Sequence, residues 1–455
     1  MGTHTRREFL KRLAVAAGWP AVSRAAFAGE QSGRKPNVVL IFTDDQGTLD
    51  VNCYGSKDLY TPNLDRLARE GTRFTQLYVG APVCSPSRAA LMTGRYPQRA
   101  GVPGNVSSMK GNPGMPTEQT TIAEMLKAAG YVTGHVGKWH LGYTPETMPN
   151  GQGFNYSFGH MGGCIDNYSH FFYWQGPNRH DLWQNGQEVW REGQFFPEMV
   201  ADESCRFIEK NKDRPFFLYT AFNVPHYPMQ GTEKYRKMYE HLKEPRRAYA
   251  EFVSTLDEKI GQIIDKIDRL GLRKNTLIIF CSDNGHSVEQ RANFGGGNTG
   301  PFRGHKFTLW EGGIRMPSIV SWPGRIPQDA VRSQVVASID WLPTIARYCG
   351  VRLHEPRIDG KDIYAVIDSP EAPSPHDCLH WATGRHWAVR QGRWKLVHDG
   401  PSTEHNGRKI PQVADFLSNM AEDVTETKNL AKDHPDIVAR LTGLHEQWVK
   451  DVRQQ

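Results

Sequence analysis

Acidic, amide and basic side chains stand directly behind four short apolar runs of this sequence. Ile41-Phe42-Thr43 passes into Asp44-Asp45, and Ile279-Phe280-Cys281-Ser282 into Asp283-Asn284. Gly134-His135-Val136-Gly137 passes into Lys138-Trp139-His140, and Phe222-Asn223-Val224-Pro225 into His226. Three carboxylates and an amide carbonyl form a hard, all-oxygen donor set, suited to Ca2+, or to Mg2+, rather than to Zn2+, which draws on His or Cys. A single Asp in such a place also serves as a helix or loop cap. Two acid-bearing pairs behind two separate runs favour one divalent cation over two caps.

The runs must be placed by strands. Residues 37–42, 131–136, 216–221, 277–281 and 317–321 are apolar on both faces and rich in β-branched or aromatic residues. Amphipathic segments at 61–70, 120–129 and 249–270 lie between them, a pattern that predicts a largely parallel α/β sheet. Ligand crevices in open α/β sheets lie at the carboxyl ends of strands, so four segments deliver their polar residues to one edge. Residues 143–200 lack periodicity and are rich in Gly, Asn, Tyr and Trp, which predicts loops over the sheet that carry specificity. Near 366–377 the run Asp368-Ser369-Pro370-Glu371-Ala372-Pro373-Ser374-Pro375 reads as a linker. Beyond it, 378–382, 386–390 and 393–398 read as short antiparallel strands, and 435–452 as a terminal helix. Gly295-Gly296-Gly297 has no phosphate-loop context and reads as a turn.

The bulk numbers agree with a large globular enzyme. A chain of 455 residues with 38% hydrophobic residues and 44 glycines fits one large domain and a smaller one. No apolar run is long enough for a membrane-spanning helix. Residues 1–28 hold Arg6-Arg7, then Phe9-Leu10-Lys11, an apolar stretch and Ala26-Phe27-Ala28, which resembles a twin-arginine export signal. They account for most of the formal charge of +6. Without their five basic residues and one acid, 50 basic face 48 acidic residues, a net of +2 with no basic block to suggest nucleic acid. Export implies the bacterial periplasm or the exterior. Seven cysteines without a CxxC pair exclude a zinc ribbon or a redox dithiol. Disulfides are permitted but not required, and six of the seven read as core residues; Cys84 alone has an unusual context.

That context is Cys84-Ser85-Pro86-Ser87-Arg88, trailed by Thr93-Gly94-Arg95. The motif resembles the signature of the sulfatase family, in which the cysteine is oxidised to formylglycine. The other landmarks follow in the family's order: Asp44-Asp45-Gln46-Gly47, Gly137-Lys138-Trp139-His140-Leu141-Gly142, His226, Ser282-Asp283-Asn284-Gly285, and Gly304-His305-Lys306 before Trp310-Glu311-Gly312-Gly313. The resemblance implies an alkaline-phosphatase-like α/β fold: a large mixed, mostly parallel sheet flanked by helices in a catalytic domain over 29–370, and a small α+β subdomain of antiparallel strands and a helix over 371–455. It implies a sulfuric ester hydrolase acting on a sulfated carbohydrate, similar to bacterial carbohydrate sulfatases and to the N-acetylgalactosamine-6-sulfatase type, and a formylglycine-generating maturation enzyme as partner. Asp44, Asp45, Asp283 and Asn284 would hold the cation together with the modified Cys84. Arg88 and Lys138 would hold the nucleophile, His140 would take a proton, and His226 and Lys306 would clamp the sulfate and assist the leaving alcohol.

Local spacing bears on some of these roles. Arg88 stands four residues after Cys84 at a helix start, which turns both to one side. Lys138 and His140, two apart, share a face if extended. His226, between Pro225 and Tyr227-Pro228, equally suits a turn. For the sugar, the loop Gly162–Trp174 combines aromatics with Asp166 and His170, and Asn105 follows Arg95 in a Gly-rich loop. These three are candidates for substrate contacts, although the aromatic run suits packing of the loop onto the sheet equally well. A phosphoester or phosphonate hydrolase of the same superfamily, and a non-catalytic glycan-binding homologue, are the alternatives.

Overall fold

Strand β1 (Asn37–Asp44) is buried at every position, as an unbroken Val-Val-Leu-Ile-Phe run requires of a strand covered on both faces. The computed structural model describes residues 34–174, 176–355, 357–405 and 408–453. The export signal expected over 1–28 lies outside the described residues.

After β1 the chain forms β2 (Thr72–Tyr78), β3 (Val132–Lys138), β4 (Tyr156–His160), a small ribbon of β5 (Phe171–Phe172) and β6 (Arg179–His180), then β7 (Trp183–Gln184) and β8 (Gln187–Glu188). Strands β9 (Phe216–Pro225), β10 (Thr276–Ser282), β11 (Arg315–Ser321), β12 (Ala330–Arg332) and β13 (Val336–Ala337) complete the main sheet. Its order is β12-β2-β11-β10-β1-β9-β3-β4-β7-β8, with β13 beside β2. β1 lies parallel to both β9 and β10, and β3 parallel to both β9 and β4. β11 runs against β10 and β2, and β7 against β4.

The reversal of β11 has a local cause. After β10 the chain stays at the carboxyl edge of the sheet, closes through the short helix Glu311–Ile314 and re-enters from that edge. A mixed, mostly parallel sheet is the expected architecture. Unanticipated were β2, the helix Phe196–Lys210, and β4, which interrupts the loop region expected over 143–200.

Alternation along the strands divides the core in two. Val38, Leu40 and Phe42 face the helices Cys84–Thr93, Ile122–Ala128 and Trp341–Tyr348. Val39 and Ile41 face the helices Pro62–Arg69, Phe196–Lys210 and Arg246–Arg269. The helix Ile122–Ala128 starts on a capping box, with the Thr121 hydroxyl accepting from the Glu124 N–H and the Glu124 carboxylate accepting from the Thr121 N–H.

Near the carboxyl terminus, β14 (Leu379–Thr383), β15 (His386–Gln391), β16 (Trp394–His398) and, past a ribbon of β17 (Thr403–His405) and β18 (Arg408–Ile410), β19 (Asp415–Asn419) make an antiparallel sheet in the order β14-β15-β16-β19. Val389, Leu396 and Leu417 pack under Ile437 and Leu441 of the terminal helix Pro435–Arg453. The other face, with Trp381, Ala388, Val397 and Phe416, joins the first core.

A buried ionic cluster ties this small sheet to the main one. Lys395 lies 2.9 Å from Glu311 and 2.9 Å from Glu426, and all three are fully buried. Arg315 pairs with Glu311 at 3.2 Å, and the Tyr78 hydroxyl donates to Glu311 at 2.6 Å. Burial opposes ionising Glu311, but the charges of Lys395, Arg315 and Arg390 outweigh it and hold the carboxyl down at about 2. A group depressed on folding contributes stability that is complete above its unfolded value, 4.5, and is lost as pH falls toward about 2. Lys395→Met is therefore expected to cost about 3–5 kcal/mol of unfolding free energy, because it leaves two buried carboxylates facing each other. Urea denaturation at neutral pH and below pH 4 checks this: the loss should shrink as the carboxyls protonate.

Candidate active site

Every polar residue behind the four apolar runs arrives at the same edge of the main sheet. At the end of β1 the backbone turns: Asp45 adopts φ of +62°, a left-handed conformation that Asp tolerates better than most side chains. Adjacent strand residues point to opposite faces; this turn lets Asp44 and Asp45 share one site. Tyr249 braces it, its hydroxyl donating to the Asp45 carbonyl at 3.3 Å and accepting from the Gly47 N–H at 3.2 Å. At the end of β3, Gly137 has φ of +117°, and a Cβ there would lie 1.9 Å from the Ala221 carbonyl oxygen of β9. Glycine is what allows Lys138 this close to the neighbouring strand.

Cys84 opens the helix Cys84–Thr93 and is 2% exposed. Its thiol donates to Asp44 Oδ1 at 3.7 Å. Burial pushes the thiol up to about 12 against the pull of Lys138 and Lys306, so the encoded group is neutral at neutral pH. Arg88, one turn on, is fully buried, with Nη2 2.8 Å from Asp283 Oδ2 and 3.5 Å from Asp44 Oδ1. The spacing reading holds: Arg88 faces the nucleophile's surroundings and not solvent.

Three cations meet three carboxylates here. Lys138 Nζ lies 2.6 Å from Asp44 Oδ2, and Lys306 Nζ 2.8 Å from Asp45 Oδ2. Burial disfavours every charge in the cluster, and the outcome differs by partner. Asp44 is held well below the usual carboxylate range because the charges of Lys138, Arg88 and Lys306 overcome burial. Asp283 is pushed up to about 7 by burial and by Asp44. Lys138 and Lys306 are raised, because their carboxylate partners outweigh burial. His140 and His226 are pushed well below 6.5, by burial first, and are neutral. His226 Nε2 stands 3.7 Å from Asp45 Oδ2, and its Nδ1 contacts the Tyr227 carbonyl at 2.8 Å. His140, with φ of +55°, is not in the extended backbone expected of it, yet it reaches the cavity.

The donors fit a hard divalent cation. Asn284 donates its amide to Asp45 Oδ1 at 2.8 Å, and its buried carbonyl Oδ1 has no hydrogen-bond partner. A buried amide oxygen left bare is costly unless something positive fills its place. Oxygens of Asp44 and Asp45, the Cys84 sulfur and a His226 nitrogen lie within 4.8 Å of one another. Asp283 abuts this group, its Oδ1 accepting the Asp45 N–H at 3.0 Å. With three carboxylates already matched by three cations, a divalent ion leaves the site positive, as an anionic ester requires.

Above the cluster opens a cavity of about 390 Å³, lined by Cys84, Asn105, His140, His226 and Lys306 among others. Asn105 lines the cavity, its Oδ1 accepting from the Ser85 N–H at 3.1 Å, beside Cys84. Asp166 and His170 are not among the lining residues and require correction. Asp166 organises its own loop, accepting from the Ser169 N–H at 2.8 Å and from Gln230 Nε2 at 2.8 Å. His170 is buried with Nε2 against the Gln194 carbonyl at 2.9 Å. From the same segment, Cys164, Phe172 and Trp174 line the cavity instead. Tyr227 and Phe307 also line it. Their signal in the sequence was adjacency to His226 and Lys306.

Comparison with known proteins agrees with this geometry. A family model described as Sulfatase matches residues 36–351. Human arylsulfatase A is 38% identical over 445 residues, spanning 92% of this chain and 86% of the relative. Rat arylsulfatase G is 32% identical, over 94% and 89%. Among solved structures, Ps i-CgsB in complex with k-i-k-neocarrahexaose superposes with a TM-score of 0.82 at 32% identity, covering 91% of this chain and 93% of that one.

The bare Asn284 oxygen gives a test independent of turnover. Calorimetry on the chelator-stripped protein should register one tight divalent cation, and Asn284→Leu should weaken it by about tenfold or more. Equal affinity in the variant would remove Asn284 from the ligand set.

Proposed function

Because this chain belongs to the sulfatase family, we propose that the sulfate ester it hydrolyses is carried by a saccharide, and that Cys84 acts after conversion to formylglycine. The enzyme is a sulfatase. The observation that carries the finer reading is the meeting of Cys84, Arg88, Lys138, Lys306 and the bare Asn284 oxygen beneath one cavity. Similarity to a structure that holds a neocarrahexaose supports a saccharide, and the cavity has room for a sugar ring.

Asp44, Asp45, Asp283 and Asn284 would hold a divalent cation, Ca2+ ahead of Mg2+, which would offset charge on the sulfate and on the attacking oxygen. Formylglycine supplies a hydrated aldehyde with two hydroxyls, a nucleophile and an exit that serine lacks. Arg88 and Lys138 orient that group from the Asp44 side. Neutral His140, whose Nδ1 has no partner, is the proton acceptor for the second hydroxyl. Protonated Lys306 holds the sulfate from the Asp45 side and donates toward the departing alcohol oxygen, with His226 beside it. Burial of the whole cluster excludes competing water.

Residues 1–28 are the export signal of this reading, sending the enzyme to the periplasm or beyond. Residues 29–370 form the catalytic domain and 371–455 a subdomain that buttresses it. A formylglycine-generating enzyme is the required maturation partner.

Protein produced with that maturation enzyme should yield a peptide around Cys84 with the mass of the aldehyde, and Cys84→Ala should lower kcat by a factor on the order of 10³. An intact thiol in active protein would overturn the assignment. On matched aryl esters, sulfate should exceed phosphate in kcat/KM, and a panel of sulfated saccharides against aryl and steryl sulfates identifies the carrier.

The histidines make the pH profile informative. His140 must be neutral to accept a proton, and burial holds both histidines well below 6.5, so the acid limb of kcat/KM should fall below 6.5 and not at it. His140→Ala and His226→Ala should each depress kcat by about 10² or more. Near-normal turnover in both variants would remove them from the reaction.

A further inference from the structure

A second cavity, of about 500 Å³, opens at the amino ends of β3 and β4, where Val132, Asn155 and Tyr156 form part of its wall. This is the sheet edge opposite the catalytic one. Six residues of extended strand separate Val132 from Lys138, roughly 20 Å at about 3.3 Å per residue.

The wall is rich in donors. Arg191, Arg206, Lys210 and Arg214 line it against a single carboxylate, Glu203. That carboxylate is occupied, paired with Arg206 and accepting the Tyr156 hydroxyl at 2.6 Å. Arg214 donates to Asn211 Oδ1 at 2.8 Å. Among the described residues, Arg191 and Lys210 have no side-chain partner. Two amides extend the pattern. Asn155 Oδ1 accepts the Thr133 N–H at 3.0 Å, and Asn185 Oδ1 accepts the Ser157 N–H at 2.9 Å. Each oxygen is thereby committed, which leaves the NH2 groups as donors.

Cations near a helix carboxyl end often do no more than complement its dipole. That accounts for Arg206 and Lys210, which belong to the helix Phe196–Lys210. Arg214 stands in the turn just past the same helix end, bonded to its capping residue Asn211, but Arg191 comes from a separate loop and converges on the same cleft. A cleft with surplus positive charge and spare amide donors selects a ligand with many anionic and hydroxyl oxygens.

We propose that this cleft binds the sulfate groups of a polysaccharide outside the catalytic cavity, tethering a polymer that the catalytic edge desulfates. The inference rests on the saccharide reading above and adds to it a preference for long chains. Small esters reach the catalytic cavity without touching the cleft; a sulfated polymer engages both.

The test separates binding from turnover. In a Cys84→Ala background, retardation by a long sulfated galactan in affinity electrophoresis is compared with retardation by the same galactan desulfated. The sulfated chain should bind, with affinity falling as salt rises. Arg191→Gln/Lys210→Gln/Arg214→Gln should weaken binding by about tenfold, equivalent to about 1.4 kcal/mol. In the mature enzyme the same triple variant should raise KM for the polymer severalfold and leave kcat/KM for a small aryl sulfate within about twofold. If the triple variant folds poorly, Arg191→Gln/Lys210→Gln, whose side chains hold nothing else, should weaken binding by about threefold. Unchanged polymer binding in the variants, or equal binding of the desulfated chain, overturns the cleft. Failure of the wild type to release sulfate from any saccharide overturns the saccharide reading instead, and leaves the binding result to stand by itself.

Discussion

Everything at the catalytic edge depends on one electrostatic constraint: three carboxylates, Asp44, Asp45 and Asp283, are buried side by side. Left alone they would repel, and burial would neutralise them by protonation. Asp283, the least compensated, shows that tendency, being pushed up to about 7. Charge is retained on Asp44 because Lys138 and Arg88 reach it from two other segments. Asp45 takes Lys306 from a third. The cluster thus recruits cations from the ends of separate elements, and the fold is what makes them available.

The sheet topology serves that recruitment. β1 is central, with β9 and β10 on either side, so the ends of three adjacent strands deliver Asp44, His226 and Asp283 within side-chain reach. The chain after β10 does not cross to the other edge at once. It remains beside the site long enough to carry Lys306, and antiparallel β11 is the geometric consequence.

The small carboxyl-terminal sheet reaches the same region from behind. Glu426 accepts the Glu311 N–H at 2.6 Å, and its carbonyl accepts from Arg303 at 3.1 Å, so one residue grips both feet of the segment bearing Lys306. Phe307 closes the segment toward the nucleophile, its N–H donating to the Pro82 carbonyl at 2.8 Å. The stability of the Lys395 cluster and the placement of a catalytic cation are therefore linked through a few hydrogen bonds.

The sequence by itself determined the strands buried on both faces, the amphipathic helices between them and the polar residues at strand ends. These are local patterns, and β1, β3, β9 and β10 obey them. It also marked Cys84, because its C-x-P-x-R context stands among further landmarks in the order of the family it resembles. It did not reveal β2, whose polar-apolar alternation is partly masked by Arg73 and Gln76, or β19, which stands apart from its partner β16 by a ribbon. Nor could it tell which residues of the loop around Asp166 and His170 face the substrate. A loop without periodicity has no preferred face until the sheet beneath it supplies one, and here Asp166 and His170 are engaged in holding the loop while Trp174 lines the cavity. Pairing of each cation with its carboxylate was likewise decided only in three dimensions, because distances of 2.6–3.5 Å join residues 44 to 261 positions apart.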